Sequence, residues 1–242
     1  MNFTESLAKR LWRLIPSSLR ERLRSNGAVV GLRNWIARRR YKGATHDEIF
    51  DDEYFYFVDR TTVESADVVA DSICAAYQPT SVWDVGCGTG ALLECLRARG
   101  VRGQGLELAE AALAFCQTRK LDVRPFNIVT DSLDDAGPAD VVISMEVGAQ
   151  LPPTAADRYV DLLCSLGSSI VFSSEIPGGG DRLSLNEQPH SYWIDKFEQR
   201  GYLLNQTRTS EWRDKWLAAK VATWFCRNVL IFERREGDVH GR

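Results

Sequence analysis

The chain has 242 residues, of which 44% are hydrophobic and 26% are charged, and its formal net charge is −3. This length and composition are typical of one globular α/β domain with a small appendage. They argue against a membrane-spanning chain, because no apolar run approaches the roughly 20 residues that a bilayer requires. The first residues also lack the features of a signal peptide, so none is expected.

The charge is unevenly distributed. Residues 1–42 contain eleven Lys or Arg and two acids, a local charge of +9 that leaves −12 for the remainder. Phe3, Leu7, Leu11 and Leu14 recur at helical spacing. We therefore expect residues 1–44 to form a basic amphipathic helical arm and residues 45–242 to form the main domain. Such an arm can lie peripherally on an anionic membrane, dock a partner or pack on its own chain.

Residues 45–60 are acidic and rich in aromatic side chains, and we expect them to form a lid. Tyr54 is a candidate for contact with the substrate. Thr61 followed by Glu64 fits a capping box, which predicts that a helix begins there and runs to about Tyr77.

Beyond this helix, strand and helix patterns alternate, which predicts a mostly parallel sheet built from crossover units. The predicted strands are Ser81–Val85, Gly103–Leu108, Val123–Ile128, Asp140–Met145, Ile170–Ser174, Tyr202–Thr207 and Thr223–Glu233. The predicted helices are Ala91–Arg99, Glu110–Lys120, Thr154–Leu166 and Ser191–Arg200. A polar, glycine-containing loop at 177–190 is the candidate acceptor loop.

A glycine-rich turn follows the first of these strands. Its spacing is GxGxG, whereas a dinucleotide-binding turn has GxGxxG. The preceding residue, Asp84, would repel a pyrophosphate but would attract a cationic amine, so the turn favours an aminoacyl ligand over NAD. Its predicted cofactor contacts are Asp84, Gly86, Cys87, Gly88 and Gly90.

Glu107 ends the next strand, about twenty residues after the glycines. A carboxylate at this place can accept hydrogen bonds from both hydroxyls of a ribose. A solvated acid at a strand end is the alternative interpretation. Leu108 belongs to the same candidate site.

Three segments, Val82–Gly90, Gly103–Glu107 and Ala139–Pro152, together resemble the class I S-adenosylmethionine (SAM)-dependent methyltransferases. The resemblance implies a Rossmann-like α/β fold, with a mostly parallel seven-stranded sheet, helices on both faces and an antiparallel last strand. It implies SAM as the cofactor and S-adenosylhomocysteine (SAH) as its product. The remaining cofactor contacts that it implies are Asn127 at the adenine, where Asp131 competes, and Met145 and Glu146 after the fourth strand.

The fourth-strand segment departs from the family pattern. Many relatives have Glu-His-Leu where this chain has Ala149-Gln150-Leu151, so a mechanism based on that histidine is absent here. His190 is the candidate catalytic base, because it follows the acceptor loop and an unperturbed imidazole titrates near neutrality. Alternatively, His190 caps the helix from Ser191 or is simply exposed. Further candidates for contact with the acceptor are Gln150, Glu187 and Trp193. Trp212 and Trp216 either line that pocket or belong to the core.

These features predict a methyltransferase for a small-molecule acceptor, with a hydroxyl favoured over an amine and a sugar, lipid-linked glycan or secondary metabolite as its source. Only three histidines and no CxxC pair are present, so no metal is expected. The scattered cysteines predict a cytoplasmic location, with peripheral contact at the inner membrane if the arm binds lipid. An RNA methyltransferase is one alternative, although the acidic domain disfavours nucleic acid. A non-catalytic SAM-binding subunit and a nicotinamide oxidoreductase are the others. The oligomeric state is not predicted.

Overall fold

The computed structural model describes residues 45–178 and 184–235. The predicted arm at 1–44 and positions 179–183 of the acceptor loop lie outside the described residues. Seven strands form one sheet in the order β3-β2-β1-β4-β5-β7-β6. The strands are β1 (Ser81–Val85), β2 (Arg102–Glu107), β3 (Asp122–Pro125), β4 (Val141–Met145), β5 (Ser169–Ser173), β6 (Tyr202–Leu204) and β7 (Val229–Arg234).

Helices connect the strands. They are α1 (His46–Ile49), α2 (Asp52–Tyr77), α3 (Ala91–Ala98), α4 (Glu110–Thr118), α5 (Ala156–Leu166), α6 (His190–Glu198), α7 (Gln206–Ala218) and α8 (Thr223–Asn228). Two short 3₁₀ turns, Gly148–Gln150 and Pro153–Ala155, link β4 to α5. Within the described residues, no helix is both long enough and apolar enough to cross a bilayer.

Side chains along each central strand point alternately to the two faces of the sheet, and both faces are buried. Trp83, Val142 and Phe172 point into one core, together with residues of α5 and α6. Their chain neighbours Val82 and Val141 point into a second core, to which α2, α3 and α7 contribute. The sheet is therefore covered by helices on both sides, as the sequence predicted.

The strand order determines where a ligand can bind. Strands β1 to β5 run parallel, and β7 is antiparallel to both β5 and β6. The predicted mostly parallel sheet with an antiparallel last strand is thus confirmed. Strands β2 and β3 lie on one side of β1, and the chain then crosses to the other side of β1, where β4 lies. The carboxyl ends of β1 and β4 flank the crevice in which α/β sheets usually bind ligands.

The predicted start of the first long helix is wrong. Helix α2 begins at Asp52, where the side chain of Asp51 accepts a hydrogen bond from Tyr54 N at 2.8 Å. Thr61 lies inside this helix, and its hydroxyl donates to the carbonyl of Phe57 at 3.0 Å. The capping box occurs instead at Thr45 and Glu48, at the start of α1. The predicted lid at 45–60 is therefore largely helical.

The two C-terminal strands are shorter than predicted. Strand β6 stops at Leu204, because Asn205 caps α7 by accepting from Arg208 N at 2.9 Å. Residues 223–228, predicted as strand, form α8. Helix α7 was not predicted, since only Thr209, Trp212 and Trp216 of its residues are buried and the rest is polar. Both tryptophans belong to the core beside α2.

Helix α7 is joined to α2 through a buried hydrogen bond, which gives a test of this packing. Trp216 Nε1 donates to Ser72 Oγ at 2.9 Å, and both residues are almost completely buried. We predict that Ser72→Ala lowers the free energy of unfolding by about 1–3 kcal/mol, because it leaves a buried indole N–H without an acceptor. Urea denaturation measures the change. Ser165→Ala, which removes an exposed hydroxyl from α5, is the matched control and should change it by less than about 0.5 kcal/mol. Equal effects of the two substitutions would contradict the assigned packing.

Candidate functional site

The turn at Gly86–Gly90 reverses the chain between β1 and α3. Gly86 has a φ of 74° and Gly90 a φ of 76°, which are left-handed values that favour glycine. A Cβ on Gly86 would lie 2.3 Å from Val147 Cγ2, and one on Gly90 would lie 2.4 Å from Leu121 Cδ1. Backbone N–H groups of Gly86 and Cys87 donate to the carbonyl of Leu106 at 2.7 and 3.1 Å. The turn is thus packed tightly against both neighbouring strands.

Asp84 lies in β1 immediately before this turn and is only 3% exposed. Burial, followed by the nearby charge of Glu107, raises its pKa to about 8. Within residues 45–178 and 184–235, no cation pairs with its carboxyl group. A buried acid without a cationic partner is well suited to a ligand that brings one.

Glu107 is oriented by three backbone hydrogen bonds. One carboxylate oxygen accepts from Gly88 N at 2.8 Å, and the other accepts from Leu108 N at 2.7 Å and from Ala109 N at 2.9 Å. The side chain therefore joins the glycine turn to the loop after β2. A carboxylate offers about four acceptor positions, so capacity remains for one further donor at this place.

A cavity that is partly open to solvent lies beside the turn. Asp84, Gly86, Gly88 and Met145 form its floor. Its opposite wall consists of one face of α2, and Phe225 of α8 contributes from the side. The α2 residues on the cavity are Val58, Thr62, Ala66 and Val69.

The predicted lid packs over the glycine turn. Phe55 Cε1 would lie 3.9 Å from a Cβ on Gly88. Arg119 fixes this arrangement, because it donates to Asp59 of α2 at 2.9 Å, to the carbonyl of Thr89 in the turn at 3.0 Å and to Glu94 at 2.8 Å. Tyr54 is 9% exposed and packs in the apolar cluster formed with α4, so its ring does not line the cavity.

Two candidate cofactor contacts lie farther along the edge of the sheet. Leu108 is 36% exposed just after β2. Asn127, two residues after β3, accepts from Val129 N at 2.9 Å through its side chain, and its own N–H donates to Asp131 at 2.8 Å. That backbone hydrogen bond lowers the pKa of Asp131. Asn127 and Asp131 thus shape one turn instead of competing for one position.

His190 has surroundings that oppose its predicted catalytic role. It is the first residue of α6, and its side chain does not cap that helix. Its Nδ1 lies 3.5 Å from Nη2 of Arg213. Burial and the charges of Arg213 and Arg227 lower the pKa of His190 to about 4. Accepting a proton at neutral pH is therefore costly for this imidazole.

The candidate acceptor contacts are not brought together on one surface. Gln150 sits in the first 3₁₀ turn and is partly exposed. Glu187 accepts from Gly178 N at 2.9 Å and thereby connects the two ends of the acceptor loop. Trp193 has no exposed surface and packs with Tyr159 and Phe172, so it belongs to the core and does not face an open acceptor pocket. Among the described residues, no group of three or more His, Cys, Asp or Glu could hold a metal ion.

Comparison with known proteins agrees with this geometry. A model of the methionine biosynthesis protein MetW family matches residues 69–147, which include the glycine turn, Glu107 and β4. The ubiquinone biosynthesis O-methyltransferase of Pseudomonas entomophila is 30% identical over 120 residues, or 47% of each chain. The chain therefore matches about half the length of such curated relatives.

Solved methyltransferases share the fold. The CcbJ methyltransferase of Streptomyces caelestis superposes with a TM-score of 0.55 at 14% identity, over 71% of this chain and 90% of that one. The magnesium protoporphyrin IX methyltransferase of Synechocystis PCC 6803, solved with bound SAM, gives 0.53 at 17% identity, over 97% and 100%. In sequence over residues 69–147 and in fold, the chain is similar to the class I SAM-dependent methyltransferases. Four residues at or beside the cavity were not predicted from the sequence: Glu175, Asn228, Arg119 and Phe225. Asn228 and Phe225 were missed because α8 was predicted as strand.

Close packing at the glycine turn yields a prediction with an internal control. We predict that Gly86→Ala lowers the free energy of unfolding by about 1–3 kcal/mol more than Gly100→Ala, because the new methyl group overlaps Val147. Gly100 also has a positive φ, 82°, but no atom lies within 4 Å of its Cβ position. The control therefore has the same type of backbone strain without the overlap. Chemical denaturation measures both, and equal losses would show that Val147 imposes no constraint on the turn.

Proposed function

We propose that this chain binds SAM in the cavity beside the glycine turn and transfers the methyl group to a hydroxyl of a small molecule, which leaves SAH. The observation that carries this proposal is Asp84, a buried carboxyl that lines the cavity and pairs with no cation among residues 45–178 and 184–235. An α-amino group is the cation that an aminoacyl ligand offers. The similarity of the chain to SAM-dependent methyltransferases supports the same cofactor.

Residues that line the cavity, together with Glu107, Leu108 and Asn127 beside it, fit the parts of SAM. Asp84 is the partner for the amino group, and the turn at Gly86–Gly90, with Cys87, lets the ligand approach the backbone closely. Glu107 retains one acceptor position for a ribose hydroxyl. Leu108 and Asn127 are the candidates for the adenine, and Met145 lies on the floor between the two strands. When bound, SAM supplies a methyl group that its sulfonium already activates.

The chain itself must orient the reactants and exclude water. Helix α2 supplies an apolar wall opposite the turn, and Phe225 closes a second side. Arg119 holds the wall and the turn at a fixed separation by binding both. A cavity with walls fixed in this way favours transfer by keeping the reacting atoms aligned.

A hydroxyl acceptor is supported by the curated relative, whose name describes an O-methyltransferase. No metal is part of this proposal. We further propose a cytoplasmic location, with residues 1–42 as a peripheral contact to an anionic membrane surface. Their net charge of +9 supports this contact, because each basic residue near an anionic bilayer adds about 1 kcal/mol of attraction. The acidic domain disfavours nucleic acid as the acceptor.

Isothermal titration calorimetry with SAM tests the proposal. We predict that the unmodified chain binds SAM and that Asp84→Asn weakens binding by at least about tenfold, because a charge-assisted hydrogen bond contributes about 1.5–3 kcal/mol. The matched control is Asp214→Asn, which removes an exposed carboxyl from α7 and should leave the affinity unchanged.

Two results would contradict the proposal. One is the absence of SAM binding to the unmodified chain. The other is equal affinity of the unmodified chain and the Asp84→Asn variant. Transfer of labelled methyl groups from SAM to a panel of hydroxylated small molecules then distinguishes an enzyme from a non-catalytic subunit.

A further inference from the structure

Strands β4 and β5 end, and β7 begins, side by side at the edge of the sheet that carries the cavity. Met145 of β4 pairs in register with Ser173 of β5, and Ser173 pairs with Val229 of β7. Glu146 follows Met145, and Asn228 precedes Val229, so both leave the sheet at the same place. Met145 and Phe225 line the cavity. Glu146 is therefore one residue from Met145 in the sequence, and Asn228 is three residues from Phe225.

Asn228 joins two acids at this edge. Its Nδ2 donates to both carboxylate oxygens of Glu146, at 3.1 and 3.3 Å, and to Oε1 of Glu175 at 3.3 Å. Glu175 also accepts from Nη2 of Arg227 at 2.6 Å. Glu175 therefore has a cationic partner close by, whereas the carboxyl of Glu146 accepts from the amide of Asn228, lies beside Ser173 and faces Arg227 at longer range.

The backbone of Glu146 is unusual. Its φ of 62° lies in the left-handed region, which costs a residue with a side chain about 1–3 kcal/mol and is often found at functional sites. In this conformation the carboxyl of Glu146 lies against the amide of Asn228. As a whole residue Glu146 is half-buried, whereas Asp84 is 3% exposed.

Its surroundings also make Glu146 a better proton acceptor than His190. Burial and the charge of Glu175 raise the pKa of Glu146 to about 8, against the opposing effects of Asn228, Ser173 and Arg227. A base is most effective when its pKa lies near the working pH. His190, with a pKa of about 4, is far from that condition.

We propose that Glu146 is the catalytic base that takes the proton of the acceptor hydroxyl, an inference that rests on the proposed function. Glu146 ionises in response to the positive charge of the bound sulfonium, since a nearby opposite charge favours a carboxylate. One of its oxygens then accepts the hydroxyl proton while the acceptor oxygen bonds to the methyl carbon. The carbon–sulfur bond breaks and its electron pair stays on sulfur. The products are a methyl ether, a neutral thioether and a protonated Glu146.

Proton release on ligand binding tests whether the sulfonium charge ionises Glu146, and this test needs no acceptor molecule. Calorimetry in buffers of different ionisation enthalpy gives the number of protons released at pH 7 when SAM or SAH binds. Both ligands present an amino group to Asp84, so the contribution of Asp84 cancels in their difference. Only SAM carries the sulfonium charge. We expect SAM to release up to about one proton more per chain than SAH, and this excess to disappear in Glu146→Gln.

The matched control is Glu198→Gln, an exposed acid on α6, which should retain the excess. Glu146→Asp keeps a carboxyl group and should retain part of the excess proton release. It replaces the Gln variant in the comparison if the Gln variant fails to bind SAH. Equal proton release for SAM and SAH in the unmodified chain would overturn the assignment, and so would an excess that survives in Glu146→Gln. Failure of both ligands to bind would instead defeat the proposed function.

Discussion

The burial of the Asp84 carboxyl group at the end of a central strand is the constraint on which this site depends. A buried acid without a cationic partner costs free energy in the empty protein, and the surrounding structure holds it there nevertheless. Glu107 joins the glycine turn to the loop after β2 by accepting from Gly88, Leu108 and Ala109, Arg119 holds α2 over the turn, and Val147 packs against Gly86. These contacts fix the turn that follows Asp84 and the helix that lies opposite it across the cavity.

The free-energy cost of burying Asp84 and Glu146 rises with pH. The folded-state pKa values of Asp84 and Glu146 are both raised to about 8. Their protonated forms are therefore favoured by folding, and the ligand-free fold loses stability as the pH rises from about 4 towards 8. A cationic ligand removes this penalty, because it stabilises the ionised carboxylates. The two buried cores on either face of the sheet supply the stability that tolerates such a site.

Sequence patterns predicted the parts of the structure that depend on local chemistry. The spacing of Gly86, Gly88 and Gly90 after a buried strand predicted the turn, and strand–helix alternation predicted the sheet. The start of α2 was not predicted, because the Asp51 cap precedes an aromatic-rich stretch whose composition does not resemble that of an amphipathic helix. Helix α7 was missed because it is anchored by only three buried side chains. The Glu146–Asn228 contact joins residues 82 positions apart, and only the register of three strands brings them together.

A crystal structure with SAH bound tests the central claim most directly, because it locates the amino group relative to Asp84. The account predicts that the amino nitrogen lies about 2.7–3.2 Å from an Asp84 carboxylate oxygen, with the adenosine running past Glu107 towards Asn127. Binding of SAH elsewhere, or with its amino group paired to a residue other than Asp84, would contradict the account.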